Sequence, residues 1–161
     1  MNFYIKKFGQ VSLTKIAEDL KVFVDDNLKN KKYYVIAISQ GGIVWRIFTM
    51  NNLVGRENIL KIFTLCTPHN GSKLAHILKH EGIQELRPQS NLLQQLEKND
   101  DGLEYYAIYN PLDLMVFPGT SAIFSKAQEN IRVFDFFHPL TFWNKKTLRF
   151  ILEKIKNDKI W

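Results

Sequence analysis

A single cysteine, Cys66, stands among the 161 residues, so no intrachain disulfide holds the fold and an oxidising compartment is not indicated. No Cys/His cluster has the spacing of a zinc site, and neither a metal nor any other cofactor is expected. Apolar runs of bilayer-spanning length are missing too. The opening Met1-Asn2-Phe3-Tyr4-Ile5-Lys6-Lys7 lacks the apolar core and small-residue cleavage site of a secretory signal, which predicts a soluble, cytoplasmic chain. There are no repeats and no low-complexity segments. Acidic residues are outnumbered, 16 against 22 Lys and Arg, for a net charge of +6. The lysines are spread over segments such as Lys29 to Lys32 and Lys154 to Lys159, which read as solvated surface. Weak contact with an anionic membrane surface is compatible with that charge, and a nucleic-acid partner is not expected.

What is present is a hydrophobic content of 45%, enough for one core, and residues 1–161 read as a single domain. Ser12 is placed to cap a helix whose apolar positions Leu13, Ile16, Ala17, Leu20, Phe23, Val24 and Leu28 recur at helical spacing. Tyr33 to Ile38 is a β-rich run, apolar on both faces as an interior parallel strand should be, and Gln40 to about Met50 continues as a helix. Ile59 to Leu65, Tyr105 to Tyr109 and Ile131 to Phe134 predict further strands. A short helix is expected around Leu74 to Leu78, and a last one carries Leu148, Ile151, Leu152 and Ile155. Between them, residues 79–100 are polar, with Leu92, Leu93 and Leu96 on one helical stripe, and suit a small cap or lid. Strands alternating with helices predict an α/β fold with a mostly parallel sheet flanked by helices.

Chemistry concentrates where the strand ending at Ile38 meets Ser39-Gln40-Gly41-Gly42. A serine on a sharp strand-to-helix turn projects its hydroxyl off the sheet, provided that small residues sit two positions to either side, here Ala37 and Gly41. An aspartate, Asp113, follows a later apolar segment, and His138 comes after it, giving the order nucleophile, acid, base. Asp101 and Asp135 are rival acids, whereas His138 is the only histidine downstream of Asp113. His69 is a candidate pocket residue or a loop stabiliser. His76 and His80, four apart on one helical face, read as surface residues lacking a third metal ligand. Phe134, Phe136, Phe137, Phe142 and Trp143, near His138, fit either acyl-chain contact or core packing.

Ile38-Ser39-Gln40-Gly41-Gly42, Thr67-Pro68-His69-Asn70-Gly71-Ser72, Leu86-Arg87-Pro88-Gln89-Ser90-Asn91-Leu92-Leu93 and the Asp113-Leu114-Met115-Val116-Phe117-Pro118 context, with His138, together resemble the lipase and esterase branch of the α/β-hydrolase superfamily, especially its triacylglycerol-lipase-like and GPI inositol-deacylase-like members. The resemblance runs from about Ser12 to Asn157 and implies a Ser39, Asp113, His138 triad cleaving carboxylic, lipid-like esters, with the Gln40 backbone N–H as an oxyanion donor. It departs from the family in one respect. The strand whose His-Gly loop supplies the second oxyanion donor has no counterpart, and Phe3 to Lys6 corresponds to the family's fourth strand, so the first three strands are expected to be missing and the edge of the Tyr33 to Ile38 strand to lie open. Two expectations follow: an ester hydrolase acting alone, or an impaired remnant that needs a complementing N-terminal polypeptide.

Overall fold

The computed structural model describes residues 10–77, 79–99, 102–156 and 158. Helix α1 (Leu13–Asn27) opens it, capped by Ser12, whose Oγ accepts from Thr14 N at 3.2 Å. The cap is reinforced from far along the chain. The Glu85 carboxylate accepts from Ser12 Oγ at 3.0 Å and from Leu13 N at 2.6 Å, placing a negative charge against unsatisfied first-turn amides. Next come strand β1 (Tyr33–Ile38), helices α2 (Gln40–Asn51) and α3 (Leu53–Arg56), and strand β2 (Ile59–Leu65). Helices α4 (Glu81–Gln84) and α5 (Asn91–Lys98), strands β3 (Tyr105–Tyr109) and β4 (Glu129–Arg132) and helix α6 (Lys145–Lys156) complete the order.

Among the described residues all pairings are parallel and four strands lie in sequence order, β1 to β4. The last strand sits two residues earlier than the Ile131 to Phe134 expected, because the ladder ends where Tyr109 meets Arg132 and the chain turns off toward the site. His76 ends a 3₁₀ turn over Lys73–His76 while His80 precedes α4, so the two histidines do not share the helix face read from their spacing. The strand expected at Phe3 to Lys6 lies outside the described residues.

Alternation along the strands makes three layers. Val35, Ala37, Ile62, Tyr105 and Ala107 face α1 and α2, where Leu13, Leu20, Ile43, Ile47 and the wholly buried Phe48 fill the larger core. Phe63, Leu65, Tyr106 and Ile108 face the other way, onto Ile151 of α6. Among the described residues β1 pairs with β2 alone, and its outward Ile36 and Ile38 are 43% and 36% exposed. The uniformly buried interior strand read from the sequence is therefore buried on one face only, since α6 covers β2 and β3 and leaves the end of β1 bare.

The α6 layer is fastened by a lysine in the core. Lys61, on β2, is 5% exposed; its Nζ pairs with the Asp158 carboxylate and donates to Lys154 O at 2.8 Å, while Tyr34 Oη donates to Asp158 at 2.8 Å. The Lys61 ammonium and the Tyr34 hydroxyl hold the Asp158 carboxyl below the usual carboxylate range. Asp158 is partly exposed and Lys61 keeps the Lys154 carbonyl, so Asp158→Asn is expected to cost about 1 kcal/mol in denaturant unfolding. With the folded carboxyl titrating below its unfolded value of about 3.9, this stabilisation is present at neutral pH and disappears as pH falls through the acid range. Urea titrations from pH 7 down to 3 should show a steeper loss for the unaltered chain than for Asp158→Asn.

Candidate active site

At the carboxyl end of β1 the backbone turns sharply enough to leave Ser39 at φ 54°, ψ −132°, a region that an L-residue enters at a cost of order 1–3 kcal/mol. The turn is held from both sides: Ser39 N donates to Leu65 O at 2.8 Å, and Gly42 N donates back to Ser39 O at 3.1 Å. Ser39 is half-buried and Gln40 N–H, in the first turn of α2, has no carbonyl of its own helix to bind. Ala37 is buried as the elbow requires, but the space around Gly41 is open. The crowded glycine is its neighbour: a Cβ on Gly42 would stand 2.2 Å from Thr67 Oγ1, because α2 packs directly on the loop after β2.

Asp113 and His138 arrive on the loops after β3 and β4. Asp113 and His138 are both nearly inaccessible, and His138 Nδ1 lies 2.6 Å from Asp113 Oδ2. Burial pushes the Asp113 carboxyl up, but the hydrogen bonds from His138 and from the Val116 and Met115 amides, 3.0 and 2.8 Å from Oδ1, outweigh it and leave the carboxyl below its ordinary value. An ionised Asp113 fixes the His138 proton on Nδ1, which leaves Nε2 as the acceptor. Nε2 is buried and has no partner among the described residues. The rival Asp135 instead accepts from Asn144 Nδ2 at 3.0 and 3.1 Å, and Asp101 lies outside the described residues.

Sequence reading missed what joins these loops. Asn110, 1% exposed, donates from Nδ2 to Asp135 O at 2.7 Å and accepts from Leu112 N at 3.1 Å, so one side chain spans the acid and base loops. Its only signal was the turn-forming Asn-Pro pair. Ser72 Oγ accepts from Phe117 N at 3.0 Å and pins the far end of the acid loop to the loop after β2. Gly119 permits the return, since a Cβ there would be 2.1 Å from Asn110 O.

His69 is a structural residue. Its ring stacks on Phe124 at 4.3 Å and 9°; Nδ1 accepts from Arg46 Nη1 at 3.3 Å, which puts the ring proton on Nε2, facing Thr64 Oγ1 at 2.9 Å. Burial, then the Arg46 charge, pushes its pKa well down and keeps it neutral. The cavity beside Ser39 does not include it. That cavity, about 200 Å³, is lined by Pro68, Ser72, Leu74, Ile83, Leu86 and Met115, with Leu114, Ala75 and Val116 completing a largely apolar wall. Residues 79–100, expected as a small cap, supply Ile83 and Leu86 to that wall, while Leu93 and Leu96 enter the core.

The parallel sheet flanked by helices has the α/β-hydrolase fold, as its match to solved structures shows. Scans of the sequence against protein-family models and against curated proteins give no match. Solved structures do match. The mature Bacillus licheniformis lipase BlEst2 superposes at a TM-score of 0.67 and 15% identity, covering 94% of this chain and 77% of that one. The monoacylglycerol lipase of Paleococcus ferrophilus gives 0.63 and 13%, over 92% and 77%. Phospholipase PlaB from Legionella pneumophila gives 0.57 and 20% over 68% of this chain, which spans only 28% of the PlaB chain.

Gly42→Ala tests the packing of α2 on the loop after β2. The added methyl must push Thr67 away, and overpacking of this kind is expected to cost about 1–3 kcal/mol in thermal or urea unfolding, whereas Gly41→Ala should be nearly neutral.

Proposed function

We propose that the chain is a serine hydrolase cleaving carboxylic esters of lipid-like substrates, with Ser39 as nucleophile, His138 as base and Asp113 as acid. The observation that carries this reading is the buried Asp113–His138 pair at 2.6 Å, with an unpartnered Nε2, beside the strained turn at Ser39. His138 Nε2 takes the hydroxyl proton as Ser39 Oγ attacks the ester carbonyl; Asp113 stabilises the imidazolium, and the Gln40 N–H donates to the oxyanion. Collapse expels the alcohol, which receives the proton from His138, and water then releases the acid by the same route in reverse. The apolar cavity accepts the acyl chain. Its lipase-like and phospholipase-like structural neighbours support a lipid ester as the class.

The surface around the site supports the same reading. The loops that carry Asp113 and His138 expose Leu112, Leu114 at 76%, Met115 and Phe117 on one side, and Phe134, Phe136 at 90%, Phe137, Leu140 and Trp143 on the other. Core packing accounts only for Phe142, which lies against the α6 core. An apolar apron of this kind, on a chain of net charge +6, fits the face of an anionic lipid layer. In a second reading, favoured by β1 pairing with β2 alone among the described residues, a further polypeptide segment pairs along β1 and brings the second oxyanion donor. A missing donor of that type costs on the order of 10²- to 10³-fold in turnover.

Labelling with a fluorophosphonate separates these readings. Covalent modification lost in both Ser39→Ala and His138→Ala establishes the nucleophile and base. A folded chain that takes no label eliminates the self-sufficient enzyme and leaves the complemented one. For the apron, Phe136→Ser with Trp143→Ser should reduce co-sedimentation with phosphatidylglycerol vesicles several-fold without changing labelling of Ser39 in solution.

A further inference from the structure

Cys66 ends β2 with φ 47°, and this turn swings its thiol under the acid and base loops. One ligand atom each from Cys66, Asp113 and His138 lie within 4.8 Å of one another, and all three residues are buried. No two of them are near in sequence, which is why the spacing carries no metal signature. Besides this pair the thiol meets Thr141 Oγ1 at 3.4 Å, a fully buried hydroxyl, and the Asn110 backbone.

We infer that Cys66, Asp113 and His138 form an inhibitory site for a thiophilic divalent metal of the zinc class. Thiolate, imidazole and carboxylate are the ligands such an ion selects, with bonds of about 2.3 Å to sulfur and about 2.0 Å to nitrogen and oxygen. Around a tetrahedral ion the donor atoms stand roughly 3.5 Å apart on those bond lengths. The three donor atoms already lie within 4.8 Å of one another, and a bound ion would take the place of the 2.6 Å His138–Asp113 hydrogen bond. The charges also balance. One doubly charged cation, one thiolate, one carboxylate and a neutral imidazole sum to zero, so the occupied site avoids the cost of an uncompensated buried charge.

The protons account for the inhibition, a consequence that rests on the hydrolase reading, whereas the binding itself does not. On binding, the Cys66 thiol gives its proton to solvent and His138 Nδ1 gives up its proton to become a ligand. The ring then carries hydrogen on Nε2 and is no longer able to accept one from Ser39. At the same time the ion displaces Asp113 from its hydrogen bond with His138, so both functions of the dyad are lost together.

Binding is read without turnover. Titration of the full chain with Zn2+ by calorimetry, and with Co2+ by absorption, should show one equivalent bound and a thiolate-to-cobalt charge-transfer band. Cys66→Ser, checked for fold by circular dichroism, should abolish the band and weaken Zn2+ binding by at least the ~10-fold that even an outer-shell change costs a metal site. Asp113→Asn should weaken binding while keeping the band. The proposal is overturned if the unaltered chain shows no band, or if Zn2+ binding survives in Cys66→Ser and disappears in the double variant His76→Gln, His80→Gln. A cobalt band from a chain that takes no fluorophosphonate would refute the hydrolase reading and leave the metal site standing.

Discussion

The register of the parallel ladder is the constraint on which the rest of this structure depends. Strands β1, β2 and β4 continue their pairing for one residue past their ends: Ser39 N reaches Leu65 O, Cys66 N reaches Ile108 O, and Val133 N reaches Tyr109 O, at 2.8, 2.8 and 2.9 Å. The carboxyl ends of the described strands are thereby aligned in one row, and the segments that carry Ser39, Asp113 and His138 leave from it. A slip of one position in β1 or β2 would turn Ser39 or Cys66 to the opposite face of the sheet, since successive side chains alternate. The hydrophobic layers forbid such a slip. Ile62 and Ala107 must face α1 and α2 while Phe63 and Ile108 face α6, and reversing either set would expose apolar side chains to water.

That rigidity holds the strained turns. Ser39 and Cys66 both keep positive φ next to each other on adjacent strands, and each is fixed by a backbone hydrogen bond to the following strand. The loops beyond are less securely founded and are tied by individual polar contacts: Asn110 to Asp135, Ser72 to Phe117, and Asp113 to His138. Packing is therefore responsible for where Ser39 sits, and hydrogen bonding for where Asp113 and His138 sit. The same division explains the exposed apron. Loops positioned by a few polar anchors do not need their apolar side chains for stability, so Phe136, Phe137 and Leu114 stay exposed.

Much of this was legible in the chain itself. The α1 periodicity, the strand at Tyr33 to Ile38, the helix starting at Gln40 and the order Ser39, Asp113, His138 are local patterns, and each element stands where its pattern falls. Less legible were the features made by distant residues. Glu85 caps α1 from 73 positions away from Ser12, Lys61 finds Asp158 near the other end of the chain, and Gly42, not Gly41, is the glycine under steric pressure because of Thr67. His69 illustrates the ambiguity: its type and motif allow a pocket role, and only the stacked Phe124 and the Arg46 donor show it closed off in the core.

The sequence by itself determined most of the elements and their order along the chain, because periodicity and turn chemistry act over a few residues. Tertiary structure alone decided the Asp113–His138 contact, the neighbours of Cys66 and the bare face at Ile36 and Ile38. Those depend on which strand ends come level and on what α6 is long enough to cover, quantities that arise only when segments far apart in the chain are packed against one another.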